Sequence, residues 1–372
     1  MTTAWVVTIK TVDMAKEEAF NLAAETADKY KNEIKAELQG ARVTSETLST
    51  VFETLKTHNL TSRHMMNDIL QKALKNKEYI TILCIAYMPN ALDGKDHQYA
   101  GVKPAYSPSG RYALYWNKLG SRIELEPLPD KDIEASDWWN VPKTTKHEFI
   151  TDPYLYHIQG HPVMLASLVF PILYQGEFIG IIASDIALDK LQEMVSRKNT
   201  HISGGYTQIF SNSGSIVAHS DKRYLGKNIS ETLASSDSQT VNEVKDAIKN
   251  GKTYVLSGND FYTVYTPIHF SEVTRPWSVA VSIPMADVLQ RANYIRNYII
   301  AVFAFFVVLL AIVLYLLTRS LTQPIRQLAD AARELGEGNF NVEMPLIKSN
   351  DEIGMLSRTF RSMVAEIDSL IG

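Results

Sequence analysis

The sequence of 372 residues predicts an α+β protein carried on one membrane-crossing helix. Three observations lead there. Tyr298–Thr318 (YIIAVFAFFVVLLAIVLYLLT) holds no charge, no proline and no glycine. At about 1.5 Å per residue, a helix of that length crosses a hydrocarbon core of about 30 Å. From Thr11 to about Thr57 apolar residues recur three and four apart with no proline, the pattern of one long amphipathic helix. Between these two stretches, β-type runs and turn signals alternate with short helical patterns.

Composition narrows the function classes. The chain is long enough for two or three domains, and 45% hydrophobic with 21% charged residues is ordinary for a folded protein. A net charge of −4 without any run of Lys or Arg offers no surface for nucleic acid. Cys84 is the only cysteine, so no intrachain disulfide forms. His157 and His161 are separated by Gly160 and followed by Pro162. Those residues break any helix that would align the pair, so no metal site is expected. The chain has no Gly-x-Ser-x-Gly and no phosphate loop. No catalytic residue and no cofactor is therefore assigned, and an enzyme is not expected.

Met1–Ile9 (MTTAWVVTI) is apolar but too short to span. Residues 1–10 read as the last turns of a first membrane helix, or else as an apolar helix start packed on a neighbour. Beyond them Phe20, Ala23, Ala27, Tyr30, Ile34, Ala41, Leu48, Phe52 and Leu55 form one stripe, interrupted at Glu37 and Ser45. A continuous helix here would reach roughly 70 Å, a stalk whose stripe packs on its own domain, on a dimer partner, or on both. A shorter helix over Ser62–Asn76 completes a stalk at 11–77. Tyr79–Met88 is a buried β run, and Arg111–Trp116 and Ile123–Leu128 form a hairpin around Asn117–Ser121. Val163–Tyr174 and Glu177–Leu188 form another around Gln175-Gly176. A short helix with Leu188, Leu191 and Met194 follows, closing a first lobe at 78–204.

A second lobe, 205–290, repeats the scheme. Tyr206–Phe210 and Ser215–His219 flank a turn at Asn212-Ser213-Gly214. A helix near Val241–Lys249 and strands Thr253–Leu256, Phe261–Ile268 and Ser278–Ile283 follow. Pro171-Ile172 and Pro267-Ile268 each close a strand before a turn, a last strand and a helix, a faint internal echo. The span at 298–318 follows, with Arg291 and Arg296 before it and Arg319, Arg326 and Arg333 after it, a mild positive-inside bias. Past it, Leu321, Ile325, Leu328, Ala332 and Leu335, and then Ile353, Leu356, Phe360, Met363, Ile367 and Leu370, step by three and four. Both are coiled-coil seams, joined by Gly336-Glu337-Gly338 and an extended connector with Phe340 and Val342. Two short helices cannot bury two seams alone, so a four-helix bundle from two chains is expected.

The residues Pro324-Ile325, Gly338 and Asp351-Glu352-Ile353-Gly354 resemble the HAMP domain, a signal relay just inside the membrane of bacterial receptors, over residues 319–372. The segment from about Ala19 to Met285 resembles a double Cache (dCache) sensor, built from two PAS-like α/β lobes. The residues that carry this are Asp137-Trp138-Trp139, Pro142-Lys143, Asp152-Pro153-Tyr154, Pro171-Ile172 and Gly180–Asp185 (GIIASD). Together the chain is similar to a methyl-accepting chemotaxis receptor lacking its cytoplasmic signalling hairpin. The resemblance implies an extracytoplasmic (periplasmic or extracellular) sensor at 11–297 and a cytoplasmic HAMP domain. It also implies a homodimer in the bacterial inner membrane, multi-pass in the full protein, that works through a chemotaxis kinase and a coupling protein. The input half of a sensor histidine kinase or diguanylate cyclase has the same order and is the alternative.

For a ligand, Trp138, Trp139, Tyr154 and Tyr156 can supply flat walls with polar edges, and Asp137 or Asp185 a counter-charge to a cation. Ser167 and Lys143 can add hydrogen bonds, and Tyr115 completes the candidate set. Against this, paired tryptophans beside a strand are commonly core, and Asp152-Pro153 makes a turn. The resemblance implies a pocket in the membrane-distal lobe, between this loop and the central sheet. Amino-acid-binding members of that family carry an Arg at the place of Ser136 and an Asp at the place of Tyr156. With neither present, a ligand carboxylate would lack a bidentate cation. An amine or a purine-like ring is therefore expected in preference to an α-amino acid, held by Asp185 and an aromatic wall.

Overall fold

The computed structural model describes the chain except for residues 1, 121, 197–203, 234–235, 340–341 and 372, and describes no side chains at 2–8, 291 and 368–371. It falls into two units, Val12–Arg291 and the pair of segments Met1–Thr11 and Ala292–Gly372.

The expected stalk is one helix, α1 (Thr2–Thr57). Its stripe is buried from Ala15 through Ala23, Tyr30, Ile34 and Leu38 to Phe52. Ser45, which interrupts the stripe in the sequence, is itself fully buried. Its Oγ lies 2.7 Å from Ser184 Oγ, while Ser49 Oγ donates to the Pro171 carbonyl at 2.6 Å. Ser45 and Ser49 are thus points where the helix is hydrogen-bonded onto the sheet beneath it. At Gly40 a Cβ would fall 2.3 Å from the Tyr79 ring, so only glycine lets that ring close against the helix.

After α2 (Arg63–Lys75), N-capped by Ser62, the first lobe is formed by β1 (Ile82–Tyr87), α3 (Asp96–Tyr99), β2 (Ala113–Asn117), β3 (Glu124–Pro127), α4 (Asp130–Ala135), α5 (Asp137–Thr145), β4 (Phe149–Ile150), β5 (Tyr154–Ile158), β6 (His161–Tyr174) and β7 (Glu177–Ala187). The strands make one antiparallel sheet in the order β3-β2-β1-β7-β6-β4, with β5 pairing the far end of β6. Both expected hairpins are present. The sequence reading left 129–158 without regular structure, yet it folds as α4, α5, β4 and β5. Helices of six and nine residues, one with Pro142 inside it, are too short to display a 3.6-residue period.

α6 (Leu188–Ser196) leads into the second lobe: β8 (Tyr206–Phe210), β9 (Ile216–His219), α7 (Ile229–Thr232), α8 (Ser238–Lys249), β10 (Tyr254–Ser257), β11 (Phe261–Ile268) and β12 (Trp277–Pro284). Its sheet order is β10-β11-β12-β8-β9, again antiparallel. The face that would correspond to a ligand pocket is filled by Phe210, Tyr265, Ile248 and Val244, all buried.

β12 runs directly into α9 (Met285–Leu317). Among the described residues, the helical run containing it is the one long and apolar enough to cross a membrane, and none of its most apolar window is buried. A fully exposed surface of Phe303, Phe305, Phe306 and Leu310 is unfavourable in water and suited to lipid. A π-helical turn at Thr318–Thr322 marks the end of the apolar run. α10 (Gln323–Gly336) and α11 (Glu352–Ile371) follow. The Asp351 carboxylate accepts hydrogen bonds from the Ile353 and Gly354 amides at 3.1 and 3.0 Å, capping α11. A Cβ on Gly354 would sit 1.8 Å from the Ser349 carbonyl oxygen. The DEIG motif is thus a cap followed by a glycine that admits the incoming connector. Of the seam residues, Leu328 is buried, whereas Leu321, Ile325, Leu356 and Met363 are exposed in the single chain. Phe340 of the expected connector lies outside the described residues.

The rim of the first lobe is tied by Arg63, which is 4% exposed. Its guanidinium donates to Asp93 at 2.8 and 2.9 Å, to Asp96 at 2.6 Å and to the Gly110 carbonyl at 2.8 Å. The Tyr99 ring centroid is 4.1 Å from it. Removing one partner from such a cluster leaves buried charge uncompensated, at a cost of about 3–5 kcal/mol. Arg63→Met is expected to lower the melting temperature of the sensor by several degrees. Arg63→Lys should rescue only a fraction, because an ammonium cannot reproduce the fork. Calorimetry of both variants checks this, and an unchanged transition in Arg63→Met would refute it.

Candidate ligand-binding site

Sheet register assembles the site. Ser167 on β6 stands opposite Asp185 on β7, Ile82 on β1 opposite Asp185, and Cys84 opposite both Ala183 and Tyr115. Directly paired residues share a face, so these side chains make one continuous floor. β5 extends it, with Tyr154 paired to Leu165 and Tyr156 to Val163. α5 covers that face and brings Trp138 over it. The result is a pocket of about 20 Å³, room for about one water molecule. It opens past Tyr115, Trp138, Tyr154 and Tyr156 into a groove of about 860 Å³.

Asp185 is the distinctive group. It is 6% exposed, and its Oδ1 has no hydrogen-bond partner among the described residues. Burial pushes its carboxyl up to about 7, against a hydrogen bond from Ser167 that favours the ionised form. The Ser167 and Tyr154 hydroxyls are 2.7 Å apart. Tyr115 donates to Glu126 Oε2 at 2.8 Å, and Asn117 donates to the other Glu126 oxygen at 3.0 Å. The Tyr115 and Tyr154 rings each meet Tyr156 edge-on, at centroid distances of 6.1 and 6.5 Å. Burial, reinforced by the charge of Asp185, pushes the Cys84 thiol well up, so it lines the pocket as a neutral, unreactive wall.

Of the residues expected from sequence, Tyr115, Trp138, Tyr154, Tyr156, Ser167 and Asp185 converge on this pocket. Asp137 is exposed at the groove. Trp139 and Lys143 line neither. Consecutive residues on a helix point about 100° apart, so Trp139 turns away from Trp138 into the core. There it meets Phe178 edge-on at 5.1 Å and lies 4.7 Å from the Arg111 guanidinium. Lys143 is exposed to solvent. The sequence reading missed Glu126, Asp132 and Asp152, which line the groove. Glu126 could have been found from its alternation with Glu124 opposite the Tyr115 strand. Asp152 was read as part of a turn and of the Asp152-Pro153-Tyr154 motif, not as a site residue. Glu126, Asp132, Asp137, Asp152 and Asp185 line pocket and groove together, and no Lys or Arg is among the described residues lining either.

The Cache domain family model matches residues 11–292, and the HAMP domain model matches residues 316–369. The methyl-accepting chemotaxis protein TlpQ of Pseudomonas aeruginosa is 26% identical over 331 residues, covering 81% of this chain and 46% of that receptor. The chain thus spans about half the length of that relative. Among solved structures, the extracellular domain of a protein described as a histidine kinase, mmHK1S-Z3, superposes with a TM-score of 0.64 at 28% identity, covering 73% of this chain and 96% of that one. A structure of a methyl-accepting chemotaxis protein X gives 0.56 at 26% identity, covering 73% and 97%. The fold, the two lobes and the family match agree: this chain belongs to the Cache domain family, its double-lobed sensor followed by a helix able to span a membrane and by a HAMP domain.

Proposed function

We propose that this chain is the sensing and relay part of a bacterial transmembrane chemoreceptor, and that its sensor binds a small amine outside the cytoplasmic membrane. The observation that carries the ligand reading is Asp185: a buried carboxylate with an unpartnered oxygen, walled by aromatic rings. An isolated buried charge is costly, and an ammonium removes that cost while the ring faces of Trp138 and the tyrosines favour a cation. An α-amino acid would bring a carboxylate into a site with no Lys or Arg in its walls, which argues against it.

Ligand binding would shift the population of a lobe arrangement rather than create one. Asp185 lies just ahead of α6, whose Gln192 accepts a hydrogen bond from the His219 amide at 3.0 Å and donates back to the His219 carbonyl. A displacement of β7 on pairing Asp185 would pass through α6 into the second lobe, and from β12 into α9. In a homodimer the exposed seams of α10 and α11 would pair as a four-helix bundle, which would carry the signal to a chemotaxis kinase and its coupling protein through a further signalling domain. The likeness to mmHK1S-Z3 supports a second reading, the input half of a histidine kinase, for which the sensing step is the same.

Isothermal titration and thermal shift of residues 11–290 against amines, purines, amino acids and organic acids test the ligand class. An amine is expected to raise the melting temperature as ln(1 + [L]/Kd), and Asp185→Asn to abolish the response. Tight binding of organic acids with no response to any amine would overturn the reading. The pH dependence follows from the carboxyl held near 7. The folded state keeps this proton above the usual aspartate value of about 3.9. Its contribution to stability is therefore present at low pH and is lost as pH rises from about 4 to about 7, by roughly 4 kcal/mol at most. Amine affinity should move oppositely, rising through pH 7 as the carboxylate forms. Urea unfolding of the ligand-free domain at several pH values measures the first effect, and Asp185→Asn should flatten the slope.

A further inference from the structure

The groove above the Asp185 pocket carries more negative charge than one ammonium needs. Both Glu126 oxygens are occupied, by Tyr115 and Asn117. Asp132, Asp137 and Asp152 line the same groove, and among the described residues their carboxylates have no ion-pair or hydrogen-bond partner. Several other acids of this lobe are matched: Asp130 and Glu134 face Arg111, Asp93 and Asp96 face Arg63, and Glu148 faces Arg42. The unmatched acids gather at the mouth of a pocket whose innermost polar group, Asp185, is itself buried and unpartnered on Oδ1. Between the two levels stands Tyr156. It lines both the pocket and the groove, and its hydroxyl is raised first by burial and then by Asp132, Cys84, Asp185 and Glu126.

We infer that the ligand is a flexible α,ω-diamine. One ammonium pairs with Asp185 inside the aromatic pocket, the methylene chain lies along Tyr115, Trp138 and Tyr156, and the second ammonium sits at the groove among Asp132, Asp137 and Asp152. This rests on the amine reading above and extends it to a second charge. The inner contact is dry and confers most of the affinity. The outer contacts are partly hydrated, each weak alone, and screened over about 8–10 Å at moderate salt, so they act by number. Their sum distinguishes a dication from a monoamine of the same length.

The test is calorimetric titration of the full chain in lipid nanodiscs with 1,4-diaminobutane and with n-butylamine. The diamine is expected to bind about tenfold or more tightly, and raising salt from 50 to 500 mM should shrink that ratio. Asp132→Asn with Asp137→Asn, both outside the pocket floor, should bring the diamine close to the monoamine while leaving butylamine affinity within about twofold. Asp185→Asn should weaken both. Equal affinities for the two amines, with the double variant affecting neither, would overturn the inference and leave the amine reading standing. Failure of butylamine as well as the diamine would overturn both.

Discussion

A carboxylate held out of water without a cation is expensive, and the first lobe is arranged so that Asp185 cannot escape that condition. It sits on β7, a central strand with β1 on one side and β6 on the other, so two ladders hold its backbone in place within the sheet. Burial raises its carboxyl to about 7, so near neutral pH the ligand-free protein divides between a protonated, neutral site and an ionised, uncompensated one. An incoming cation would compensate the ionised state and so draw the site toward it. Under the amine reading proposed above, that cost would be the source of selectivity, since a neutral or anionic molecule of similar shape recovers none of it.

The same strand connects the site to the rest of the sensor because adjacent residues point to opposite faces. Asp185 faces the pocket, and Ser184 faces the stalk helix, 2.7 Å from Ser45. Two residues later β7 gives way to α6, whose Gln192 is hydrogen-bonded in both directions to His219 of the second sheet. β7 therefore touches the candidate pocket and the stalk helix, and leads through α6 to the second lobe. Among the described residues, Phe210, Tyr265 and Ile248 fill the corresponding face of the second lobe. The last strand of that lobe has no loop between it and α9.

In the C-terminal unit the motif residues have local tasks. Asp351 caps α11, and Gly354 leaves room for the Ser349 carbonyl. Ser357 adds a hydrogen bond from α11 to the Pro345 carbonyl at 3.0 Å, which fastens the connector to the helix. The seam residues that stay exposed here are apolar at the spacing of a coiled coil, which is the surface a second chain would cover.

The sequence by itself determined whatever has a period or a local rule. The span is unmistakable because lipid demands apolar residues on every face, the stalk because a long helix repeats its stripe many times, and the hairpins because Gln175-Gly176 and Asn117–Ser121 are turn chemistry. Asp185, Tyr154 and Ser167 were candidates by their chemistry, but only the resemblance to a family placed the pocket, since nothing local marks a buried acid as a site. Tertiary structure alone decided the rest. It gave Trp138 to the pocket and Trp139 to the core, a division that depends on the phase of a nine-residue helix. It turned Ser45 from a flaw in a stripe into a hydrogen bond across the sheet. It gathered Asp132, Asp137 and Asp152 from a helix, a helix start and a turn into one groove, a juxtaposition of residues on separate elements that no pattern along the chain can encode.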